Sequence, residues 1–273
     1  MNAPNRRMQR TNSRRGEKEG PRNTVACING KHHEPRGQGL RGKRGIRTCR
    51  GVYGLSWSYK DREHAGHVLA DELSKESFKT EPLVLAVPNG GLAVALPIAE
   101  SLDAALDIII VRKLQIPFNP EAGFGALTSL GTMMLNRDLV ARLGLSDADI
   151  QSVRTRTEKQ IESRKEAYDG LVGLYFPDNK DVILVDDGLA SGYTMLAAIT
   201  SVRESNPRSI TVAAPTASAS ATKRVSGLVD KLVCPQVGSG FVFAVADAYE
   251  NWYDVPDNEV IDSLRAYRAR SYL

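Results

Sequence analysis

Unbroken apolar runs alternating with amphipathic stretches organise the chain from residue 59 onward. Residues 83–87 read Leu-Val-Leu-Ala-Val, close at Pro88-Asn89-Gly90-Gly91, and give way to helical character over 92–102; this is strand, tight loop and helix. A second run, 108–111, ends in Arg112-Lys113, and continuous β-branched runs are what a parallel strand covered on both faces requires. A third run fills 182–185 and leads to a helix over 194–204. A fourth, 210–214, ends at Pro215 and precedes a small-residue helix and a short strand near Leu232-Val233. Earlier in the chain, Asp61 is placed to cap a helix whose apolar positions Ala65, Val68, Leu69 and Leu73 recur at helical spacing. Residues 137–168 are also helical in pattern, with Ser146-Asp147-Ala148-Asp149 as a capped start and a charged face after Arg154 turned to water. Residues 114–135 hold two prolines and three glycines among short apolar pieces, which predicts a mobile loop leading into a hairpin. Strands alternating with helices predict right-handed crossovers. The expected class is α/β: doubly wound, with a mainly parallel sheet, a mobile hood loop and a disordered basic N-terminal tail. No repeat at a fixed period is found.

Composition changes this picture at one end only. With 273 residues and 42% hydrophobic content, the chain can bury one good-sized core. Its net charge of +4 hides an asymmetry: residues 1–50 carry 14 Lys/Arg against 3 acids, leaving −7 for the remainder. Residues 1–52 are rich in Arg, Gly, Asn and Pro and lack apolar periodicity, so two units are expected, a disordered tail (1–52) and one domain (53–273). The plainest reading of the tail is an extension without function of its own, as a misplaced start codon would give; otherwise it is an arm attracted to RNA or membrane, and nucleic acid is expected only through it. No apolar run approaches the ~20 residues that span a bilayer, and no signal-peptide pattern follows the basic start, so a soluble, cytoplasmic protein is expected. Cys27, Cys49 and Cys234 are odd in number and far apart, which fits neither a disulfide framework nor a paired-cysteine zinc site; Cys234 reads as a small core residue. All four histidines, His32, His33, His64 and His67, precede residue 68. They read as solvated residues, and histidine-dependent hydrolase mechanisms are disfavoured.

The segment 182–194 carries the chemistry. An apolar strand runs into Asp186-Asp187, then Gly188-Leu189-Ala190-Ser191-Gly192-Tyr193-Thr194 opens a helix. Ligands of open α/β sheets bind beyond the carboxyl ends of strands. Backbone N–H groups at a helix start, with Ser191 and Thr194 hydroxyls beside them, form a cup for one phosphate. Two carboxylates next to that cup can accept hydrogen bonds from a vicinal diol. Together they describe a ribose 5-phosphate site. A Walker A loop needs a Gly-Lys-Ser/Thr ending that is absent, and a dinucleotide fingerprint needs a different glycine pattern.

This segment resembles the signature of type I phosphoribosyltransferases, and its form is similar to the adenine-type version. The resemblance implies that Asp186 and Asp187 hold ribose hydroxyls and that Ala190, Ser191, Gly192, Tyr193 and Thr194 hold the 5-phosphate. It also implies that Pro88, Asn89, Gly90 and Gly91 form the loop whose amides hold a diphosphate, with Arg112 and Lys113 neutralising the departing charge. The order of pieces from about Asp61 to Glu259 resembles a less characterised group of predicted phosphoribosyltransferases, in which Val-Pro-Arg-Gly-Gly, Val-Arg-Lys-Leu, Asn-Pro-Glu and Trp-Tyr recur. These appear as 87–91, 111–114, Asn119-Pro120-Glu121 and Trp252-Tyr253. The arginine of the first motif is Asn89 here. The aspartate of hypoxanthine-type enzymes is Ala190 here, which disfavours that class.

The implied reaction is Mg²⁺-dependent transfer of ribose 5-phosphate from 5-phosphoribosyl 1-diphosphate to a nitrogen acceptor, a nucleobase or similar, with release of diphosphate through an oxocarbenium-like transition state. Segment 114–135 would close over the site to exclude water. The acceptor is expected near Phe241, Phe243, Tyr249, Trp252 and Tyr253, where a flat base could stack. Other partners expected are a second copy of the chain in a homodimer and no membrane. Two alternatives stand beside the transferase: a non-catalytic regulatory protein that binds phosphoribosyl diphosphate, and a hydrolase or phosphorylase of a phosphoribosyl compound.

Overall fold

The computed structural model describes residues 24–26, 58–168, 170–238, 240 and 243–271. Six parallel strands form the central sheet: β1 (Thr24–Ala26), β2 (Leu83–Ala86), β3 (Ala105–Ile108), β7 (Asp181–Val185), β8 (Ser209–Ala213) and β10 (Lys231–Val233). Their order is β1-β10-β8-β7-β2-β3. Of the segment expected to be a disordered tail, only Thr24–Ala26 is described, and it pairs with β10; the rest of that expectation, with Cys27 and Cys49, lies outside the described residues.

Side chains alternate between the two faces of this sheet as the period of a strand demands. On one face Val84, Ala86, Leu106, Ile108, Ile183 and Val185 meet α1 (Arg62–Leu73), α2 (Gly90–Ser101) and α7 (Asp257–Ser271) through residues such as Leu69, Ile98 and Leu264. On the other, Leu83, Leu85, Val182, Leu184, Ile210 and Val212 meet α5 (Tyr193–Arg203) and α6 (Ala219–Ser226) through Ala198, Ile199, Ala221 and Val225. The sheet is thus covered on both sides, and the predicted doubly wound class holds. Asp61 caps α1, its Oδ1 accepting from the His64 amide at 2.8 Å. Cys234 is fully buried. Among the described residues no helix is long and apolar enough to cross a membrane.

Two expectations are corrected beyond the second strand. The run 108–111 does not end a parallel strand: β3 stops at Ile108, and Val111 opens β4 (Val111–Ile116) of a separate antiparallel sheet with β5 (Asn119–Thr128) and β6 (Met133–Leu135). Arg112 and Lys113 therefore belong to that second sheet rather than to the edge of the first. An unbroken apolar run cannot mark where the chain changes sheets, because the residues on both sides of the change are buried. Segment 114–135 does contain the expected hairpin, β5 with β6, but most of the part expected to be a loop is strand: β4 runs to Ile116 and β5 begins at Asn119. Leu114, Phe124 and Ala126 are fully buried, and the breaker residues serve the sheet: Pro117 sits at the turn between β4 and β5, and Gly125 lies where an added Cβ would stand 2.3 Å from the Met134 carbonyl. Residues 137–168 are helical as expected, split by left-handed Gly144 into α3 (Arg137–Leu143) and α4 (Asp147–Ala167), whose start is the predicted capping box on Ser146 and Asp149. The remaining small elements are β9 (Thr216–Ser218), β11 (Gln236–Gly238) and a short 3₁₀ turn, Val245–Ala248.

Candidate functional site

The chain leaves β2 toward β3 on one side and leaves β7 toward β8 on the other, so β2 and β7 flank the point where the strand order reverses. A crevice opens beyond the carboxyl ends of strands at such a point. Register pairs Ala86 with Val185, which sets Pro88-Asn89-Gly90-Gly91 and the Asp186–Thr194 loop side by side. Of the residues assigned to the ribose, 5-phosphate and diphosphate, all but Gly91 and Tyr193 line one cavity of about 540 Å³; of the aromatic residues expected near the acceptor, Trp252 lines it as well. Arg112 and Lys113 reach it from the antiparallel sheet above.

The two carboxylates are in unlike surroundings. Burial, then the charge of Asp187, pushes the Asp186 carboxyl well above the usual range, against a smaller pull from Lys113. Asp186 Oδ1 accepts from the Asp187 amide at 2.9 Å. Asp187 instead has a cation: Arg62 Nε donates to its Oδ2 at 2.8 Å, with the two side chains 6% and 17% exposed. Arg62 also donates to the Tyr253 carbonyl at 2.9 Å, and its guanidinium lies 3.9 Å from the Trp252 ring centre. Tyr249 donates its hydroxyl to the Asp187 carbonyl at 2.6 Å, and burial, then the Asp187 charge, raises its phenol so that it stays protonated. The aromatic cluster expected to receive an acceptor is thus largely a sleeve for Arg62: Tyr249 is buried against Tyr59 and Trp252, and Tyr253 hydrogen-bonds Glu259. Phe243 lies by Gly238, and Phe241 lies outside the described residues.

Arg62 was not among the residues the sequence singled out. A signal was present: positions 62, 65, 66, 69 and 73 share the buried face of α1, so a cation stands in phase with its apolar stripe. A charge at such a place is stable only if paired.

Backbone geometry completes the cavity. The Pro88–Asn89 peptide bond is cis. Gly90 is held so close to the ion pair that an added Cβ would lie 1.9 Å from Asp187 Oδ2 and 2.7 Å from Arg62 Nε. Asn89 turns away from the cavity's acids; its Nδ2 donates to the Val255 carbonyl at 2.7 Å and to Asp257 Oδ1 at 2.9 Å. At the other end, Gly192 precedes α5 with φ +79° and no side chain caps the helix. Gly192, Thr194 and Met195 of this helix start line the cavity, and N–H groups in a first turn have no intrahelical acceptors. Ser218 Oγ binds the Ala190 carbonyl at 2.6 Å, and Arg224 binds the Ser191 carbonyl and stacks on Tyr193. This ties the loop's carbonyls away from any anion in the cup. Among the described residues no group of three or more His, Cys, Asp or Glu could hold a metal by itself. Asp186 and Asp187 offer hard oxygen ligands that fit a Mg²⁺ arriving with a phosphorylated ligand.

A family model for the phosphoribosyl transferase domain matches residues 129–250, which include both acids and the whole cup. The solved structure of TT1426 from Thermus thermophilus is 32% identical, covers 77% of this chain and 98% of its own, and superposes with a TM-score of 0.64. The chain belongs to the phosphoribosyl transferase domain family. Two Mycobacterium tuberculosis proteins, named "Putative phosphoribosyl transferase MT0597" and "Putative phosphoribosyl transferase Rv0571c", are each 35% identical over 211 residues, 77% of this chain. The match spans 47% of each relative, so this phosphoribosyl transferase-family chain corresponds to about half the length of those proteins.

Proposed function

We propose that the protein transfers the 5-phosphoribosyl group of phosphoribosyl diphosphate to a nitrogen acceptor, releasing diphosphate. The observation that carries this reading is the joining, in one cavity, of the phosphate cup at the start of α5, the Asp186-Asp187 pair and the Pro88–Gly91 turn. In it the cup binds the 5-phosphate, and Asp187, oriented by Arg62 and Tyr249, accepts from the ribose hydroxyls with Asp186. Arg112 and Lys113 attract the diphosphate and stabilise its charge as the bond to C1 breaks. The packed sheet β4–β6 above them shields the electrophilic carbon from water. Mg²⁺, held by donor oxygens and the carboxylates of Asp186 and Asp187, would screen the diphosphate charge.

The test is to incubate the protein with Mg²⁺, phosphoribosyl diphosphate and a panel of purines, pyrimidines and ammonia, following diphosphate release against Asp186→Asn and Asp187→Asn. Release that depends on both acids supports the reading. Donor binding without release from any acceptor would overturn it and leave a regulatory binding role, which Asn89 favours because its amide is engaged by Val255 and Asp257 and brings no positive charge to a diphosphate.

A further inference from the structure

A second cavity, of about 440 Å³, opens along α4. Arg112, Arg156, Lys159 and Arg164 border it, with Gln160 and Ser163 between them. Arg112, Gln160 and Arg164 also line the first cavity, so the two adjoin. Positions 156, 159, 160, 163 and 164 share one helix face by their spacing. The acids of the same stretch of α4, Glu158, Glu162 and Glu166, do not line the groove, and Arg154 and Lys165 pair with the first two. The groove-side cations are not neutralised in this way. Arg112, Arg156 and Lys159 have no ion-pair partner among the described residues. Burial, then the neighbouring Arg164, lowers the Arg112 pKa, with Asp257 pulling the other way. Asp257, the one acid lining the groove among the described residues, already accepts from Arg164 at 2.6 Å, Asn89 at 2.9 Å and Tyr168 at 3.1 Å.

Four cations against one occupied carboxylate make a site for an anion. Apart from Arg112, which also lines the first cavity, no group assigned to the donor borders this groove: neither the Pro88–Gly91 turn nor the cup at 188–194 does. A neutral base gains little there, since among the described residues no aromatic ring lines it. We infer that the α4 groove binds an acidic substituent, a carboxylate or phosphate, carried by the nitrogen acceptor, so that the second substrate is an anion rather than a neutral nucleobase. This rests on the transferase reading proposed above.

The variant Arg156→Gln/Lys159→Gln tests it, since both side chains are exposed and neither borders the first cavity; an unchanged melting curve confirms folding. Diphosphate release is followed with adenine, hypoxanthine and uracil as neutral acceptors and with orotate, quinolinate and anthranilate as acidic ones. The expected result is turnover of an acidic acceptor, with its KM raised roughly tenfold in the variant at little cost to kcat and with donor affinity unchanged. Turnover of a neutral base with the same KM in both proteins would overturn the inference, as would a variant that loses donor affinity instead. Release from no acceptor at all sinks the transferase reading alone. The groove is then judged by calorimetry in the presence of donor, with quinolinate and orotate as carboxylate probes and inorganic phosphate as the phosphate probe. Binding of either class that weakens in the variant supports an anion site, and no binding, or equal binding, refutes it.

Discussion

Arg62→Met isolates the interaction on which the geometry of Asp187 depends. The ion pair is 2.8 Å long between side chains 6% and 17% exposed. Removing one partner of a buried pair costs about 3–5 kcal/mol, mostly because the remaining charge is left uncompensated. Asp187 borders the cavity and water can reach it, which places this case at the lower end, about 3 kcal/mol. Methionine retains most of the contact with Trp252 but gives up the cation–π attraction, worth roughly 1 kcal/mol for a guanidinium 3.9 Å from the ring centre. The expected total is about 4 kcal/mol, which lowers the melting temperature by about 8–16 °C in a domain of this size. Thermal and urea denaturation measure it, provided that two probes give coincident transitions. A double-mutant cycle with Asp187→Asn attributes the loss: the double variant should be less damaged than the sum of the singles by about 1–3 kcal/mol. A cost for Arg62→Met under about 1 kcal/mol, or strict additivity in the cycle, would refute the view that Arg62 fixes Asp187.

Asp186 gives a pH-dependent signature. Its folded pKa is raised, first by burial and then by Asp187, so ionising it destabilises the ligand-free fold as pH rises through that value. Asp186→Asn should therefore melt higher than the parent at neutral pH, and the difference should vanish in acid below the unfolded carboxyl pKa; a Tm series against pH checks both halves. Gly90→Ala brings a Cβ to 1.9 Å from Asp187 Oδ2, and it should weaken donor binding by at least roughly tenfold, as measured by calorimetry. Phe124→Ala empties a fully buried position of β5 and should cost about 3–5 kcal/mol. Hydrogen exchange should show protected amides along β4 and β5 in the parent; fast exchange there would restore the mobile-loop expectation.

The sequence alone determined whatever is local in the chain. An apolar strand, two acids and a small-residue turn opening a helix are contiguous at 182–194, so the cup and its carboxylates could be read directly, and alternating strands and helices sufficed for the class. Tertiary structure decided the rest, because hydrophobic periodicity reports that a residue is buried and not what buries it. The apolar run at 108–111 looked like one strand, yet it straddles two sheets. Prolines and glycines at 114–135 signalled a loop, but packing of Leu114 and Phe124 overrode them. Asn89 stood where the motif that the segment resembles would have an arginine, and only the fold revealed that its amide donates to Asp257. Arg62 reaches Asp187 across 125 residues of sequence. Its charge on an apolar helix face demanded a partner, and only the folded chain could supply one.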